Sequence, residues 1–243
     1  MSWTKRIPMS RFDKCQNKVF VHNDQYELAK QYIKSNVMSV PGPSFNRHME
    51  SAFEIASTPK SKVLFMEIVP KVYDRLQRYR RKMIAEGDTR ADRLRIIKGN
   101  VACYEEFANI PQAYRFEDID LCQSMDTAFE ILRYRLRRQS RLYRWNKAMV
   151  ITSSLRHCVK GAASLQRTLT LLNGIIDMIG AELDVSRTLS NIEKVFTSTN
   201  GNGNKSVFML TPSFVKKGRI FKMRLYRYRD YGQGVFSCIF LYK

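Results

Sequence analysis

A short apolar stretch near the middle of the chain carries two acidic side chains towards its carboxyl end. In the segment YRFEDIDLCQ, residues 114–123, these are Asp118 and Asp120. Carboxylates can accept hydrogen bonds from hydroxyl and amino groups, and they can take or give protons. In an open α/β sheet, ligands bind in the crevice outside the carboxyl ends of the strands. Asp118 and Asp120 are therefore the candidate catalytic residues, and an acidic turn after a buried strand is the alternative explanation.

The charge balance of the chain predicts a polyanionic partner. Its 243 residues include 42 Lys and Arg against 22 Asp and Glu, a formal net charge of +20. An excess of this size favours association with nucleic acid, ahead of an anionic membrane surface. Net charge concerns association and not chemistry, so a basic protein without a specific ligand remains an alternative.

One row of basic side chains has the spacing of a helix face. Arg133, Arg137 and Arg141 recur every fourth residue beside an apolar stripe. Like charges at this spacing repel one another unless an anion lies across them. We therefore expect these three arginines to contact nucleic acid.

A second basic segment lies near the carboxyl end, where two strands are predicted to form a hairpin through a turn at residues 230–234. Basic residues alternate there with aromatic ones, as a phosphate backbone and unstacked bases require. An edge hairpin protected by charge explains the same pattern. The candidate nucleic-acid-binding residues of this segment are Arg224, Tyr226, Arg227, Tyr228 and Arg229.

The five cysteines and three histidines indicate no metal or disulfide site. The cysteines show no Cys-x-x-Cys spacing, and the histidines are isolated along the chain. No apolar run has the length of a signal peptide or of a membrane span. We expect a cytoplasmic protein with no membrane partner.

Hydrophobic periodicity predicts alternating helices and strands. Short apolar runs predict buried strands, a 3.6-residue period predicts helices at about 23–35 and 183–196, and the last forty residues form strands without helices between them. The predicted architecture is a doubly wound, mostly parallel α/β sheet ending in an antiparallel C-terminal hairpin. We expect a basic arm and helix over residues 1–36 and a single Rossmann-like domain over residues 37–243. The first five predicted strands lie near residues 37–40, 62–68, 94–100, 114–123 and 147–153.

This order of elements resembles the class I S-adenosylmethionine-dependent methyltransferase fold, and phage-encoded proteins built on that pattern. In that fold the seventh strand inserts antiparallel beside the fifth. The resemblance implies S-adenosylmethionine as cofactor, with Gly42 in the loop after the first strand and Glu67 holding the ribose hydroxyls after the second. It also implies Asn100 beside the adenine, and Asp118 or Asp120 contacting the methionine amino group or the methyl acceptor.

Three functions are consistent with these observations. The first is a methyltransferase acting on DNA or RNA. The second is a methyltransferase-fold protein without cofactor or catalysis that binds nucleic acid or a polymerase assembly through its basic surface, since the loop after the first strand has one glycine where the family has two or three. The third is a structural virion protein. A phage-encoded protein of any of these kinds would act in the cytoplasm of the infected host cell.

Overall fold

The structure of the chain is a computed structural model, and it covers most of the sequence. The residues that it describes are 15–41, 45–99, 114–139, 146–155, 162–198, 205–230 and 233–243. The helices are α1 (Gln16–Lys30), α2 (Phe45–Ile55), α3 (Pro70–Ala85), α4 (Met125–Gln139), α5 (Ala162–Ile176) and α6 (Val185–Ser190). The strands are β1 (Val37–Val40), β2 (Val63–Glu67), β3 (Leu94–Lys98), β4 (Phe116–Ser124), β5 (Lys147–Ser154), β6 (Glu182–Leu183), β7 (Ile192–Ser198), β8 (Lys205–Leu210), β9 (Phe214–Lys216), β10 (Ile220–Asp230) and β11 (Gln233–Tyr242).

Nine of these strands form one sheet in the order β3-β2-β1-β4-β5-β11-β10-β8-β7. The five strands from β3 to β5 are mutually parallel, and β11 runs antiparallel to β5 along its length. The strand at the end of the meander is thus inserted antiparallel beside the fifth strand, as the methyltransferase resemblance predicts. The predicted doubly wound, mostly parallel sheet with antiparallel C-terminal strands is confirmed.

Apolar side chains fill a core on each face of the sheet. One core joins the sheet to α1, α2 and α3, and the other joins it to α4 and α5. Successive side chains of β2 point to opposite faces of the sheet, so Phe65 lies in the first core and Leu64 in the second. Among the described residues, no helix combines the length and the apolar composition that a membrane crossing requires.

The structure differs from the predicted elements at both ends of the chain. Helix α1 starts at Gln16 and ends at Lys30, and its apolar residues belong to the core. The helix predicted over residues 183–196 is mostly wrong, because only Val185–Ser190 is helical and β7 follows it. Asp184 caps the short helix by accepting from the Arg187 amide, and Phe196 of β7 instead stacks on Phe20 of α1 at 4.7 Å between ring centroids.

The C-terminal hairpin lies inside the sheet and not at its edge. Strand β10 is paired with β8 on one side and β11 on the other. The interpretation of its charges as protection of an edge is therefore wrong, and β7 is the edge strand on this side.

A close backbone approach fixes the turn before β10. Gly218 has φ of +53°, and a Cβ at this residue would lie 2.4 Å from the carbonyl carbon of Gly180. We expect Gly218→Ala to lower the free energy of unfolding by more than ~1 kcal/mol, because alanine adds both backbone strain and a clash.

Urea denaturation measures this change, and Gly174→Ala is the matched control. Gly174 lies within α5 with no atom within 4 Å of the added Cβ. Alanine there should stabilise the protein by up to ~1 kcal/mol. Equal stabilities of the two variants would contradict the close approach at Gly218.

Candidate functional site

The carboxyl end of β2 carries a buried carboxylate with one oxygen that lacks a partner. Glu67 is 3% exposed. Its Oε1 accepts a hydrogen bond from the Val69 amide at 2.8 Å, whereas Oε2 is buried with no hydrogen-bond partner among the described residues. Burial raises the pKa of Glu67 above its ordinary value of 4.5, and the amides of Val69 and Ile68 offset this only in part. An acceptor in this state is prepared for a donor from outside the chain.

Apolar surface lies directly beside this carboxylate. Ile68 is 57% exposed although it is a large aliphatic residue, and Val69 is exposed as well. Helix α3 begins immediately afterwards, with Pro70 at its first position. The chain therefore presents an apolar ledge next to a strong hydrogen-bond acceptor, which is a combination suited to a ligand with a flat ring and hydroxyl groups.

A second buried carboxylate, two strands away from Glu67, is saturated with donors. Asp118 of β4 is 1% exposed. Its Oδ2 accepts from the Tyr26 hydroxyl at 2.6 Å and from the Ser39 hydroxyl at 3.4 Å, and it lies 2.8 Å from Nδ1 of His48. We call Tyr26, Ser39, His48 and Asp118, together with His22, the buried polar cluster.

Four elements, α1, α2, β1 and β4, converge to form the buried polar cluster. Ser39 is the β1 neighbour of Asp118 in the parallel register, and His48 is on α2, the helix that follows β1. His22 and Tyr26 are one turn apart on α1 and stack on each other with ring centroids 4.1 Å apart. His22 also meets His48 edge to face at 4.5 Å.

Electrostatics explain how a carboxylate is tolerated in this position. Burial raises the pKa of Asp118, but the charge and hydrogen bond of His48, the charge of His22 and the Tyr26 hydroxyl together hold it below the ordinary value of 3.8. Burial and the adjacent Asp118 charge raise the pKa of Tyr26 well above 10.0, so its hydroxyl remains a donor. Asp118 is thus ionised at neutral pH.

A narrow cleft opens beside the buried polar cluster, between α1 and the sheet. Asp120 lines it, and Nζ of Lys18 lies 2.6 Å from Oδ2 of Asp120. The chain reverses its winding direction between β1 and β4, which places this cleft at the crossover where open α/β sheets bind ligands. The residues lining the cleft are Lys18, Val21, His22, Gln25, His48, Asp118, Asp120, Thr152 and Tyr228.

The structure brings the two predicted acids to the same cleft, where they have different partners. Asp118 is occupied by partners from its own chain, and only Asp120 lies at the less buried end of the cleft. Gly42, Asn100 and Arg141 lie outside the described residues, as does the side chain of Arg137. Arg133 is half-buried and pairs with Glu130 at 2.9 Å.

The two tyrosines of the basic hairpin are buried, contrary to the prediction that they contact nucleic acid. Tyr226 is 0% exposed, and its hydroxyl donates to Asp24, which also pairs with Arg224 at 2.6 Å. Tyr228 is buried as well. Stacking of these two rings on bases is therefore wrong for this structure, because their faces are already covered by α1 and the sheet. Arg227 is half-buried, and Arg229 is exposed.

The histidines are isolated along the sequence, but the fold brings two of them together. His22 and His48 are 26 positions apart in the sequence, and the fold places their rings in contact. One signal was available in the sequence: Lys18, His22 and Tyr26 recur every fourth residue and so share a helix face. A polar row of this kind on a buried helix requires partners across the interface.

Comparison with known proteins gives a fold likeness only. No protein-family model matches the chain, and no curated protein matches it. A proposed rRNA methylase from Clostridium thermocellum is 9% identical, with a TM-score of 0.49 over 91% of this chain and 96% of that one. The precorrin-6y C5,15-methyltransferase of Geobacter metallireducens GS-15 is 12% identical, with a TM-score of 0.47 over 91% and 87%. The fibrillarin pre-rRNA processing protein of Methanococcus jannaschii is 12% identical, with a TM-score of 0.42 over 86% and 67%. With values this low, the strand order and not these similarities defines the fold.

The raised pKa of Glu67 has a measurable effect on stability. Because the folded-state pKa lies above the unfolded value, the folded state is favoured at low pH and loses this contribution as pH rises through the folded pKa. We expect Glu67→Gln to remove this pH dependence. The variant should be more stable than the wild type at neutral pH by ~0.5–2 kcal/mol, because a neutral amide costs less to bury than a carboxylate.

Urea titrations between about pH 4 and pH 8 test this expectation. Glu86→Gln is the control, since Glu86 is an exposed glutamate at the end of α3. Its unfolding free energy should stay within about 0.5 kcal/mol of the wild type. A Glu67→Gln variant that is less stable than the wild type at neutral pH would show that the carboxylate is already satisfied.

Proposed function

We propose that the protein, which has a methyltransferase-like fold, binds S-adenosylmethionine and transfers its methyl group to nucleic acid. The single observation that carries the cofactor assignment is the buried Oε2 of Glu67, which has no hydrogen-bond partner among the residues that the structure describes. S-adenosylmethionine supplies a methyl group activated by its sulfonium.

The residues around Glu67 fit the adenosine half of this cofactor. A carboxylate can accept both protons of a ribose diol, and Glu67 has the capacity because one of its oxygens is uncommitted. Ile68 offers an exposed aliphatic surface for an adenine ring. A buried, uncompensated charge lowers stability, so its presence at a crevice favours a binding role over a structural one.

The mouth of the cleft at β4, beside Asp120, is the proposed site of the methyl acceptor, since the cleft itself has room for about one water molecule. It opens at the carboxyl ends of parallel strands on the same face of the sheet as Glu67, since side chains alternate and both Phe65 and Phe116 face the core beneath α1 to α3. Asp120 is the proposed acceptor contact, with Lys18 as its partner in the absence of substrate. Asp118 positions the surrounding side chains through its hydrogen bonds. Methyl transfer depends largely on positioning, which a cleft of fixed polar groups can supply.

Nucleic acid is the proposed acceptor class because of the distribution of basic side chains. The net charge is +20. Helix α3 starts directly after the Glu67 ledge and exposes Lys71, Arg78 and Arg81 to solvent. Arg133 of α4 adds a half-buried cation on the other side of the sheet.

A second function is favoured by one contact. The ion pair between Lys18 and Asp120 occupies the cleft with groups from the chain itself. A protein that binds nucleic acid or a polymerase assembly without catalysis would retain this pair. Cofactor binding distinguishes the two functions.

We expect calorimetric titration with S-adenosylmethionine to show one site per chain. Glu67→Gln should weaken binding by about 10- to 100-fold, because hydrogen bonds to a charged acceptor are worth about 1.5–3 kcal/mol. Glu86→Gln should bind as the wild type does. Absence of heat with the stable wild-type protein would exclude the catalytic function and leave the binding function.

We expect RNA and DNA oligonucleotides to bind with an affinity that falls steeply between about 50 and 200 mM salt. Arg133→Ala/Arg137→Ala should lower the magnitude of the slope of log K against log salt by about 1.4–1.8, which is two contacts at ~0.7–0.9 each. Fluorescence anisotropy measures both quantities.

The control for the α4 pair removes the same charge elsewhere. Arg78→Ala/Arg81→Ala deletes two exposed cations from α3. If the α3 variant changes the salt slope less than the α4 variant does, the nucleic acid contacts α4. If the α3 variant changes it more, the nucleic acid contacts α3. Unchanged binding by the α4 variant would make the arginine row a solvated surface only.

A further inference from the structure

Two imidazoles and one carboxylate, all buried, face one another at the centre of the buried polar cluster. They are His22 of α1, His48 of α2 and Asp118 of β4. One ligand atom from each lies within 4.8 Å of the other two. Nδ1 of His48 and Oδ2 of Asp118 are already 2.8 Å apart. Both histidines line the cleft at β4, but neither has a role in the proposed binding of cofactor or nucleic acid.

We propose that His22, His48 and Asp118 bind a divalent transition metal ion of the zinc class. Zinc takes imidazole nitrogen at ~2.0–2.1 Å and carboxylate oxygen at ~2.0–2.2 Å, so that neighbouring donors of a tetrahedral site are ~3.4 Å apart. The distance of 2.8 Å between Nδ1 of His48 and Oδ2 of Asp118 is shorter than this separation, and the 4.8 Å within which all three donors lie is longer. Binding of an ion therefore requires side-chain shifts of about an ångström. The cleft beside them has about the volume of one water molecule, which is enough for an ion.

The surroundings of the three residues supply what a metal site needs beyond its ligands. The hydroxyls of Tyr26 and Ser39 donate to the Asp118 carboxylate and orient it. Outer partners of this kind hold a ligand in position and are as important to affinity as the geometry itself. Asp120 lies on the other side of the His48 ring, with its Oδ2 3.8 Å from Nε2, so it is not a ligand of the same ion.

Charge and ligand type select the class of ion. The site offers two imidazole nitrogens and one carboxylate. Imidazole ligands favour zinc, cobalt, nickel, copper and iron over magnesium and calcium, which require oxygen. Zinc is the expected resident, because its geometry is the least demanding.

A closed network of hydrogen bonds is the competing explanation of the same residues. Asp118 is well supplied with donors when no ion is present. The network alone accounts for the burial of Asp118, and it predicts that added metal does not bind. The two explanations therefore differ in one direct measurement.

The test is titration of chelator-treated protein with zinc chloride, followed by calorimetry and by elemental analysis of the dialysed protein. We expect one ion per chain, no competition by magnesium, and a cobalt derivative whose visible spectrum shows nitrogen and oxygen ligands in four-fold coordination. His22→Gln and His48→Gln should each weaken binding by more than about 100-fold, beyond the ~10- to 100-fold expected for Tyr26→Phe, which removes only an outer partner.

Controls separate this site from adventitious binding. His157→Ala removes the remaining histidine of the chain and should leave affinity unchanged. Circular dichroism establishes that each variant is folded. Lack of stoichiometric zinc in the wild type would overturn the proposal, as would zinc binding that both histidine variants retain or a cobalt spectrum with thiolate charge-transfer bands from the five cysteines. None of these outcomes bears on S-adenosylmethionine binding at Glu67, which uses different residues.

Discussion

Burial of three acidic side chains on one central strand is the constraint on which the rest of the structure depends. Strand β4 lies between β1 and β5 and carries Glu117, Asp118 and Asp120 with little or no contact with solvent. An unpaired charge there would cost several kcal/mol, so each acid needs a partner. The partners are Arg135 of α4, His48 of α2, and Tyr26 and Lys18 of α1. The partners that neutralise the three acids of β4 therefore fix the position of helices on both faces of the sheet.

This arrangement links specificity of packing to the candidate site. Helix α1 packs through apolar contacts on the C-terminal strands β7, β8, β10 and β11. Its row of polar side chains, Lys18, His22 and Tyr26, faces β4. The same polar row forms one wall of the cleft. Polar groups in a core define a single arrangement of the elements around them, because a shifted helix leaves them without partners. The cleft is therefore as well defined as the core, although it is lined by titratable groups. Glu67 is the exception, a buried acid with one oxygen that has no partner among the described residues.

Sequence patterns were sufficient for the first five strands and for the acids, and insufficient for what surrounds them. Parallel strands such as β2 are recognisable as nearly continuous apolar runs, and Glu67 was identifiable because it ends such a run. The contacts between His22 and His48, and between Tyr226 and Asp24, could not be predicted, since they join residues brought together only by packing. Alternation of tyrosine and arginine in β10 indicated a surface hairpin, but two further strands, β7 and β8, continue the sheet beyond it. Local periodicity determines which residues share a face and leaves open what covers that face.

The central position of β11 has a consequence for how the chain acquires its fold. The last strand in the sequence is the sixth of nine in the sheet, and it alone joins β5 to β10. During synthesis, β5 and β10 each present an unpaired edge until residues 233–242 have been made. Long unpaired edges are the surfaces through which partly folded chains associate. Completion of the sheet is thus a late, non-local step, and premature termination would produce two half-sheets that expose the same adhesive edges to other nascent chains.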